Sequence, residues 1–408
     1  MSERVVITGL GTFNALGTNI PQFWEGLTTG RSAIGPIGSI GEGTKIKVGA
    51  IIPDHIYDPH KHFSDEELSL LDRFSQFALI AAQEAIHDAG LGPSELENAA
   101  AIIATGNGGT QTSEDTYAMF YKLGKKRAHP LTIPKGMASA AASSISMRFG
   151  IKGPAFCTSS ACASSAHAVA MGKMMIETGV VDVALVGGSE APFSYGLLKC
   201  WEALRVVSAD TCRPFSADRS GMVLGEGAGI LVLESESHAN KRGAHTYAEL
   251  AGSGLTSDAG HITYPDKARI AKAMELAINN AGLRPDDVDY INAHGTGTQV
   301  NDMVETQAIE HVFKDHAQNL AITSTKSMHG HALGASSALE LVATTLAVKH
   351  DHIPPTANFT ERDEQCALDY VPNHSRQQRV DVALCNSFAF GGLNAVLLVK
   401  KIDEHIEH

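Results

Sequence analysis

No stretch of the 408-residue chain approaches the roughly 18 consecutive apolar residues that a membrane-spanning helix requires. The opening segment, Met-Ser-Glu-Arg-Val-Val-Ile-Thr-Gly-Leu-Gly, has no long apolar run followed by a small-residue cleavage site, so no secretory leader is read there and the expected location is the cytoplasm. An excess of positive charge is also missing. The 32 Lys and Arg stand against 45 Asp and Glu, a net charge of −13. That argues against nucleic acid or an anionic membrane as main partner, because each needs a positive surface. One local basic cluster, Lys122, Lys125, Lys126 and Arg127, is available to an acidic protein. Cysteine is sparse and scattered, at 157, 162, 200, 212, 366 and 385. In a reducing compartment these are free thiols, most of them inert. No Cys or His set sits at zinc-ligand spacing, so no metal is expected. A Pro- or Ser-rich linker is absent too. Two halves, 1–250 and 251–408, are therefore expected to meet as one rigid body.

Glycine is plentiful, at 39 residues. Many lie in tight loops such as Gly106-Asn107-Gly108-Gly109 and Gly391-Gly392, where a side chain would block positive φ or the approach of a ligand. Apolar strand-like runs alternate with helical patterns. The runs are Val5–Ile7 leading into Gly9-Leu10-Gly11, Ala100–Ala104, Val181–Val186 before Gly187-Gly188, Ile230–Leu233, Tyr290–Ala293 and Val382–Leu384. Ser64 and Glu67 frame a capping box. The helix predicted after it aligns Leu71, Phe74, Ala78, Ala81 and Ala85 before stopping at Gly90. Ile270, Met274, Ala277, Ile278 and Ala281 make a second stripe, closed by Gly282. Strand, glycine loop and helix in repetition predict an α/β architecture with parallel pairs. The halves share this rhythm rather than identity.

The candidate chemistry rests on Cys162, His294 and His331. Cys162 lies among small residues, Ser159-Ser160-Ala161-Cys162-Ala163-Ser164-Ser165-Ala166, ahead of a helix predicted from Ala163 to about Glu177. At a helix N-terminus the partial positive charge is expected to lower its thiol pKa; a small buried cysteine is the competing reading. His294 follows a strand and opens Gly295-Thr296-Gly297-Thr298, where Thr296 and Thr298 offer hydroxyls to a polar ligand. A surface-loop histidine is the alternative, since the chain has 19 His. His331 closes Ser324-Thr325-Lys326-Ser327-Met328-His329-Gly330. With His329 it could start a metal site, but no third ligand is evident. A neutral imidazole donating to developing negative charge is the expected role. Lys326 is expected to anchor this group, with Glu305 as its ion-pair partner. A thiol and two imidazoles from distant segments point to thioester chemistry: the sulfur takes an acyl group and the imidazoles stabilise an oxyanion or enolate.

Together these residues resemble the elongating, type II β-ketoacyl-[acyl carrier protein] synthases. The likeness runs end to end, through Val5 to Gly11, the segment around Cys162, Asp218 to Gly227, Asn292 to Thr298, Ser324 to Gly334 and Asn386 to Asn394. It implies a thiolase-like fold, two similar halves in a layered αβαβα body that is normally dimeric. It also implies decarboxylative condensation of an acyl thioester with malonyl carrier protein, without metal or organic cofactor. By resemblance Cys162 accepts the acyl group, and His294 and His331 bind the malonyl thioester and promote decarboxylation. Lys326 and Glu305 order the site. Phe390 is the gating aromatic whose N–H joins that of Cys162 in an oxyanion hole, Phe388 flanks the departing carboxylate, and Thr296 and Thr298 hold the phosphopantetheine arm.

The chain also departs from the family's wording. Asp65, Glu66 and Glu67 replace basic carrier-docking residues, leaving Lys125, Lys126, Arg127 and Arg205 as docking candidates. Asn107 stands where an apolar side chain lines the acyl pocket, Ala389 where the gate has glycine, and the loops before Arg213 and after His261 are short. Met328-His329-Gly330-His331 and Gly392-Leu393-Asn394 are closer to synthases of polyunsaturated chains, as in nodulation-factor acyl groups and aryl polyenes. The expected role is therefore type II polyketide or polyene synthesis, with housekeeping fatty-acid elongation as the alternative. The expected partners are an acyl carrier protein and a second subunit, either another copy or a chain-length-factor-like chain. A non-catalytic chain-length subunit is disfavoured by the presence of Cys162 and both histidines. A thiolase is disfavoured by Asn386-Ser387-Phe388 after Cys385, and a starter-type synthase by His331 itself. A dinucleotide-binding oxidoreductase would need a third glycine after Gly9-Leu10-Gly11.

Overall fold

The computed structural model describes residues 3–402. Its main strands, in chain order, are β1 (Val5–Asn14), β2 (Ala100–Ala104), β3 (Ala155–Phe156), β4 (Val183–Glu190) and β5 (Gly227–Ser235), then β6 (Ala248–Ser257), β7 (Tyr290–Asn292), β8 (Ala321–Thr323), β9 (Val382–Ala389) and β10 (Leu393–Lys400). Their hydrogen-bonded order is β3-β2-β4-β5-β1-β6-β10-β9-β7-β8. The second set mirrors the first strand for strand, and the pairing sense is copied as well. β1·β5 and β4·β5 are antiparallel, as are β6·β10 and β9·β10. β2·β4 and β2·β3 are parallel, as are β7·β9 and β7·β8. The two sets meet only where Val6 and Ile7 of β1 pair with Glu249 and Ala248 of β6. The molecule is thus one five-stranded unit used twice, and a division at residue 250 falls inside β6.

A local feature explains why the repeat survives. Gly9 and Gly11 of β1 lie against helix α1 (Arg73–Ala89), and Gly252 and Gly254 of β6 lie against a later helix, Lys267–Asn280. A Cβ on Gly11 would meet the Ala81 carbonyl oxygen at 2.0 Å, and one on Gly254 would meet that of Ala273 at 2.0 Å. Strand and helix backbones touch at equivalent places, which only glycine permits.

The remaining layers follow from where the apolar faces go. Phe74, Phe77 and Ala81 of α1, with Ile145 of α2 (Ala140–Phe149), cover the outer face of the first sheet. Between the sheets lies α3 (Ser164–Glu177). The outer face of the second sheet is covered by Ile270 and Met274 of α4 (Lys267–Asn280) and Ile309 of α5 (Gln299–Phe313). The last long helix, α6 (Ser336–His350), joins α3 in the middle, where Val169, Leu339 and Val342 pack with Ile102 and Leu397 from the two sheets. Residues 336–348 of α6 are all buried, as a helix enclosed on every side must be. The result is the layered αβαβα body.

Several element bounds differ from the sequence pattern. β1 continues through Gly9-Leu10-Gly11 to Asn14, β4 passes through Gly187-Gly188, and β9 continues through Asn386-Ser387-Phe388 to Ala389. These stretches look like loops, but each strand is sheltered on both faces, so small and polar residues there still pair. The helix after Ser64 is two helices. The capped one ends at Leu70, Leu71 is extended, and Asp72 starts α1 by accepting the Phe74 N–H. The buried Asp72 carboxylate also takes the Thr112 N–H and O–H at 2.9 and 2.6 Å, a tertiary contact that periodicity cannot register. No described helix is long and apolar enough to cross a membrane.

Candidate active site

The connections that leave the C-terminal ends of β3, β7, β8 and β9 converge on one cavity, as α/β sheets build their sites. The cavity holds about 670 Å³, and Cys162, His294, Thr296, Thr298, His331, Phe388 and Phe390 are on its wall. The first half supplies the thiol and the second half both imidazoles.

Cys162 sits on a sharp elbow. Ala161 before it has φ +50°, a strained value for a residue with a Cβ. The Ser164 hydroxyl holds the turn, accepting the Ser160 N–H at 2.8 Å and donating to the Ala161 carbonyl at 2.6 Å. Helix α3 begins at Ser164, so Cys162 precedes the first turn, where the helix field is concentrated. The expected lowering of its pKa does not occur. Burial pushes the Cys162 thiol up to about 11, while the Lys326 charge and the Phe390 N–H pull the other way. At neutral pH the Cys162 sulfur rests as a thiol.

The contacts of His331 fix its tautomer. Its Nδ1 lies 3.1 Å from the Leu333 N–H and 2.7 Å from the Ser336 hydroxyl. The amide can only donate, so Nδ1 accepts and the proton rests on Nε2. Nε2 is buried with no partner among the described residues. Burial and the Lys326 charge hold the His331 pKa well below the ordinary value. His331 therefore offers a neutral N–H donor. Its backbone is fixed by the Asp218 to Gly227 segment: the His331 N–H donates to Val223 at 2.7 Å, and Gly225 donates to the His331 carbonyl at 2.9 Å. The His294 ring lies 5.6 Å from that of His331, at 87°, and 6.0 Å from Phe388. Burial first, then the Lys326 charge and His331, keep His294 neutral, and its buried Nδ1 has no partner among the described residues. His329 is turned away: Nδ1 meets the Gly330 carbonyl at 2.8 Å and Nε2 the Thr325 hydroxyl at 3.0 Å.

Lys326 requires a correction. Its ammonium donates to the His294 carbonyl at 2.6 Å and pairs with Glu340, not with Glu305. Glu305 instead accepts the N–H groups of His294 and Gly295, at 2.9 and 2.8 Å, and the Asn386 side-chain amide at 3.1 Å. The His294 backbone is thus held at its N–H by one carboxylate and at its carbonyl by the ammonium. Glu340 comes from the middle of the enclosed helix α6, which carries it to the far side of Lys326.

Burial pushes the Glu305 carboxyl up to about 7 despite these donors. Its folded pKa lies above the ordinary 4.5. The folded state therefore binds the extra proton, and stability falls as pH rises from that value through the folded one. Glu305→Gln should flatten the stability–pH curve over this window. It should also lower stability by about 1–3 kcal/mol, because the amide NH₂ must face one of the donors. Urea unfolding across pH 4.5 to 7.5 checks both; an unchanged slope would refute the assignment of the titration to Glu305.

Other expected site residues fall elsewhere. Asn107 is exposed and off the cavity wall, because its N–H and side-chain amide are directed to the buried Glu190, at 3.2 and 3.4 Å. Lys125, Lys126 and Arg127 are exposed after helix Thr110–Tyr121 and do not line the cavity. Arg205 does line it, at the end of helix Tyr195–Leu204 with φ +57°. Thr296 and Thr298 share a 2.9 Å hydroxyl contact on the wall. Sequence reasoning missed Trp201, whose ring stacks on Phe390 at 6.3 Å, and Glu340. The signal for Glu340 was present: a lone acid inside Ser336-Ser337-Ala338-Leu339-Glu340-Leu341-Val342 is a charge that must be buried and paired.

A doubled α/β unit that sets a buried thiol from one half against neutral imidazoles from the other is a condensing enzyme of thiolase-like fold. The chain belongs to the beta-ketoacyl synthase family. The family's N-terminal domain model matches residues 2–239 and its C-terminal domain model residues 247–360. Nodulation protein E of Rhizobium sp. (strain N33) is 48% identical over 98% of this chain and 100% of its own length. 3-Oxoacyl-[acyl-carrier-protein] synthase 2 of Synechocystis sp. is 41% identical over 98% of each. Among solved structures, the ishigamide ketosynthase/chain length factor superposes with a TM-score of 0.94 at 36% identity, over 99% of this chain and 100% of that one.

Proposed function

We propose that the chain condenses an acyl group held on Cys162 with malonyl-acyl carrier protein, releasing carbon dioxide and a 3-ketoacyl carrier protein two carbons longer. The observation that carries this is the meeting of the Cys162 thiol, His294 and the His331 Nε2–H in one cavity. Cys162 attacks the incoming acyl thioester and releases the carrier thiol. The malonyl thioester carbonyl then accepts from His331 Nε2–H, which stabilises the enolate left when the carboxylate departs as carbon dioxide. His294 supports the same enolate, beside Phe388. The enolate carbon attacks the acyl-cysteine carbonyl, the carbon–sulfur bond breaks, and Cys162 is regenerated. Phe390 lines the same cavity as Cys162, and its N–H would donate to the developing oxyanion. Thr296 and Thr298 would carry the phosphopantetheine arm, and no further cofactor is called for.

We place the activity in specialised polyketide or polyene synthesis. Support comes from the higher identity to nodulation protein E than to 3-oxoacyl-[acyl-carrier-protein] synthase 2. Arg205 on the cavity wall is the carrier-docking residue favoured by position, with Lys125, Lys126 and Arg127 as outlying candidates. A second subunit, a copy or a chain-length-factor-like chain, would cover Tyr121, Leu123 and Ile133, which are 85, 68 and 72% exposed. The test is intact-protein mass after mixing with carrier proteins bearing saturated or conjugated polyenoyl chains. Loading of Cys162 by polyenoyl donors alone is expected; equal loading by long saturated chains would return the protein to ordinary fatty-acid elongation.

A further inference from the structure

We infer that Ser336 and Ser337, adjacent at the start of α6, are positioning residues that fix the two reactive groups against one another, Ser336 through the His331 imidazole and Ser337 through the backbone of Cys162. The inference rests on the proposed roles of Cys162 and His331.

Both serines are buried, at 1% exposure. The Ser336 hydroxyl lies 2.7 Å from His331 Nδ1 and is the side-chain group that, with the Leu333 N–H, holds that nitrogen as an acceptor. The Ser337 hydroxyl donates to the Cys162 carbonyl at 3.1 Å and accepts from the Ser387 hydroxyl at 2.8 Å, one residue before Phe388. The next residue continues the contact: the Ala338 N–H donates to the Ser165 hydroxyl of α3 at 2.9 Å. Successive residues of a helix point about 100° apart. Two neighbouring hydroxyls can therefore serve different walls of a site while sharing one rigid support. That support is firm, because residues 336–348 are all buried.

The chemical consequences differ. Without the Ser336 hydroxyl, His331 keeps its tautomer through Leu333 but loses the contact that sets the ring angle, and Nε2–H no longer meets the enolate oxygen squarely. Without the Ser337 hydroxyl, the elbow that Ala161 strains at φ +50° loses its hold on the Cys162 carbonyl, and the sulfur shifts. Each serine should thus affect one half-reaction.

The test compares Ser336→Ala and Ser337→Ala in two assays. One follows carbon dioxide release from malonyl carrier protein with no acyl donor. The other follows transfer from octanoyl carrier protein to Cys162 by intact mass. Ser336→Ala should slow decarboxylation about tenfold, the rate equivalent of one buried hydrogen bond, with unchanged KM and with loading within about twofold of wild type. Ser337→Ala should give the reverse pattern. If both rates fall together, or neither falls, in proteins that melt like wild type, the inference is overturned. Should an alanine variant not fold, Ser336→Cys or Ser337→Cys, close in size and weaker as a donor, is judged by the same crossed pattern. A wild-type protein that neither loads nor decarboxylates would refute the condensation itself, a separate result.

Discussion

Cys162→Ala should abolish acyl loading and lower condensation by at least about 1000-fold, as expected when a covalent nucleophile is removed. The geometry makes this substitution clean. The elbow is held by the Ser164 and Ser337 hydroxyls through backbone atoms rather than through the sulfur. The variant should melt close to wild type, so lost activity cannot be assigned to unfolding. Decarboxylation of malonyl carrier protein should survive, because His294 and His331 are untouched. The complementary variant, His331→Ala, should still load Cys162 and fail at decarboxylation. Because burial pushes the thiol up to about 11, alkylation of the free enzyme should still be accelerating at pH 9. A Cys162→Ala protein that retains chain extension would remove the nucleophile from the mechanism.

Lys326→Met should be the most destabilising single change at the site, about 3–5 kcal/mol near pH 8, because it strands the Glu340 carboxylate in a fully buried position. Burial already raises the Glu340 carboxyl, and only Lys326 opposes it. With the cation gone the carboxyl rises further above its unfolded value. A carboxyl raised in the folded state costs stability as pH climbs through its folded pKa. The deficit should therefore shrink toward pH 5, where Glu340 takes a proton and becomes a neutral buried acid. Urea unfolding at pH 5 and pH 8 measures this. An equal loss at both would mean that the lysine acts through packing alone. Lys326→Met with Glu340→Leu should recover most of the stability, since a matched apolar pair replaces a matched ionic one.

The residues that meet in the cavity were the most legible part of this sequence. His294 and His331 announce themselves because strands run into glycine there, and Cys162 because its neighbours are too small to shield it. What escaped was whatever depends on a partner distant in sequence. The thiol was expected to be acidic from its place before a helix, yet desolvation, a property of the assembled core, is the largest influence on it and raises it. Glu305 was paired with Lys326 on the residues and again by resemblance, and the three-dimensional path of α6 brings Glu340 instead. Asn107 was assigned to the acyl pocket, but the buried Glu190 claims its amide. Asp72 breaks a helix for the sake of Thr112, forty residues on. The doubled Gly-x-Gly of β1 and β6 was in plain view at residues 9–11 and 252–254; without the register of the strands it reads as ordinary turn chemistry.

Among the described residues the strands of the two five-stranded repeats pair with one another at only two positions of β1 and β6, and the thiol belongs to one repeat while the imidazoles belong to the other. Neither repeat holds a complete reaction centre. A lone repeat could assemble one only by meeting a second copy, at a rate and to an extent set by dilution. Covalent linkage turns that encounter into an intramolecular one, with an effective concentration no cell could supply for separate chains. Within one chain the pairing of thiol with imidazole is therefore independent of protein concentration.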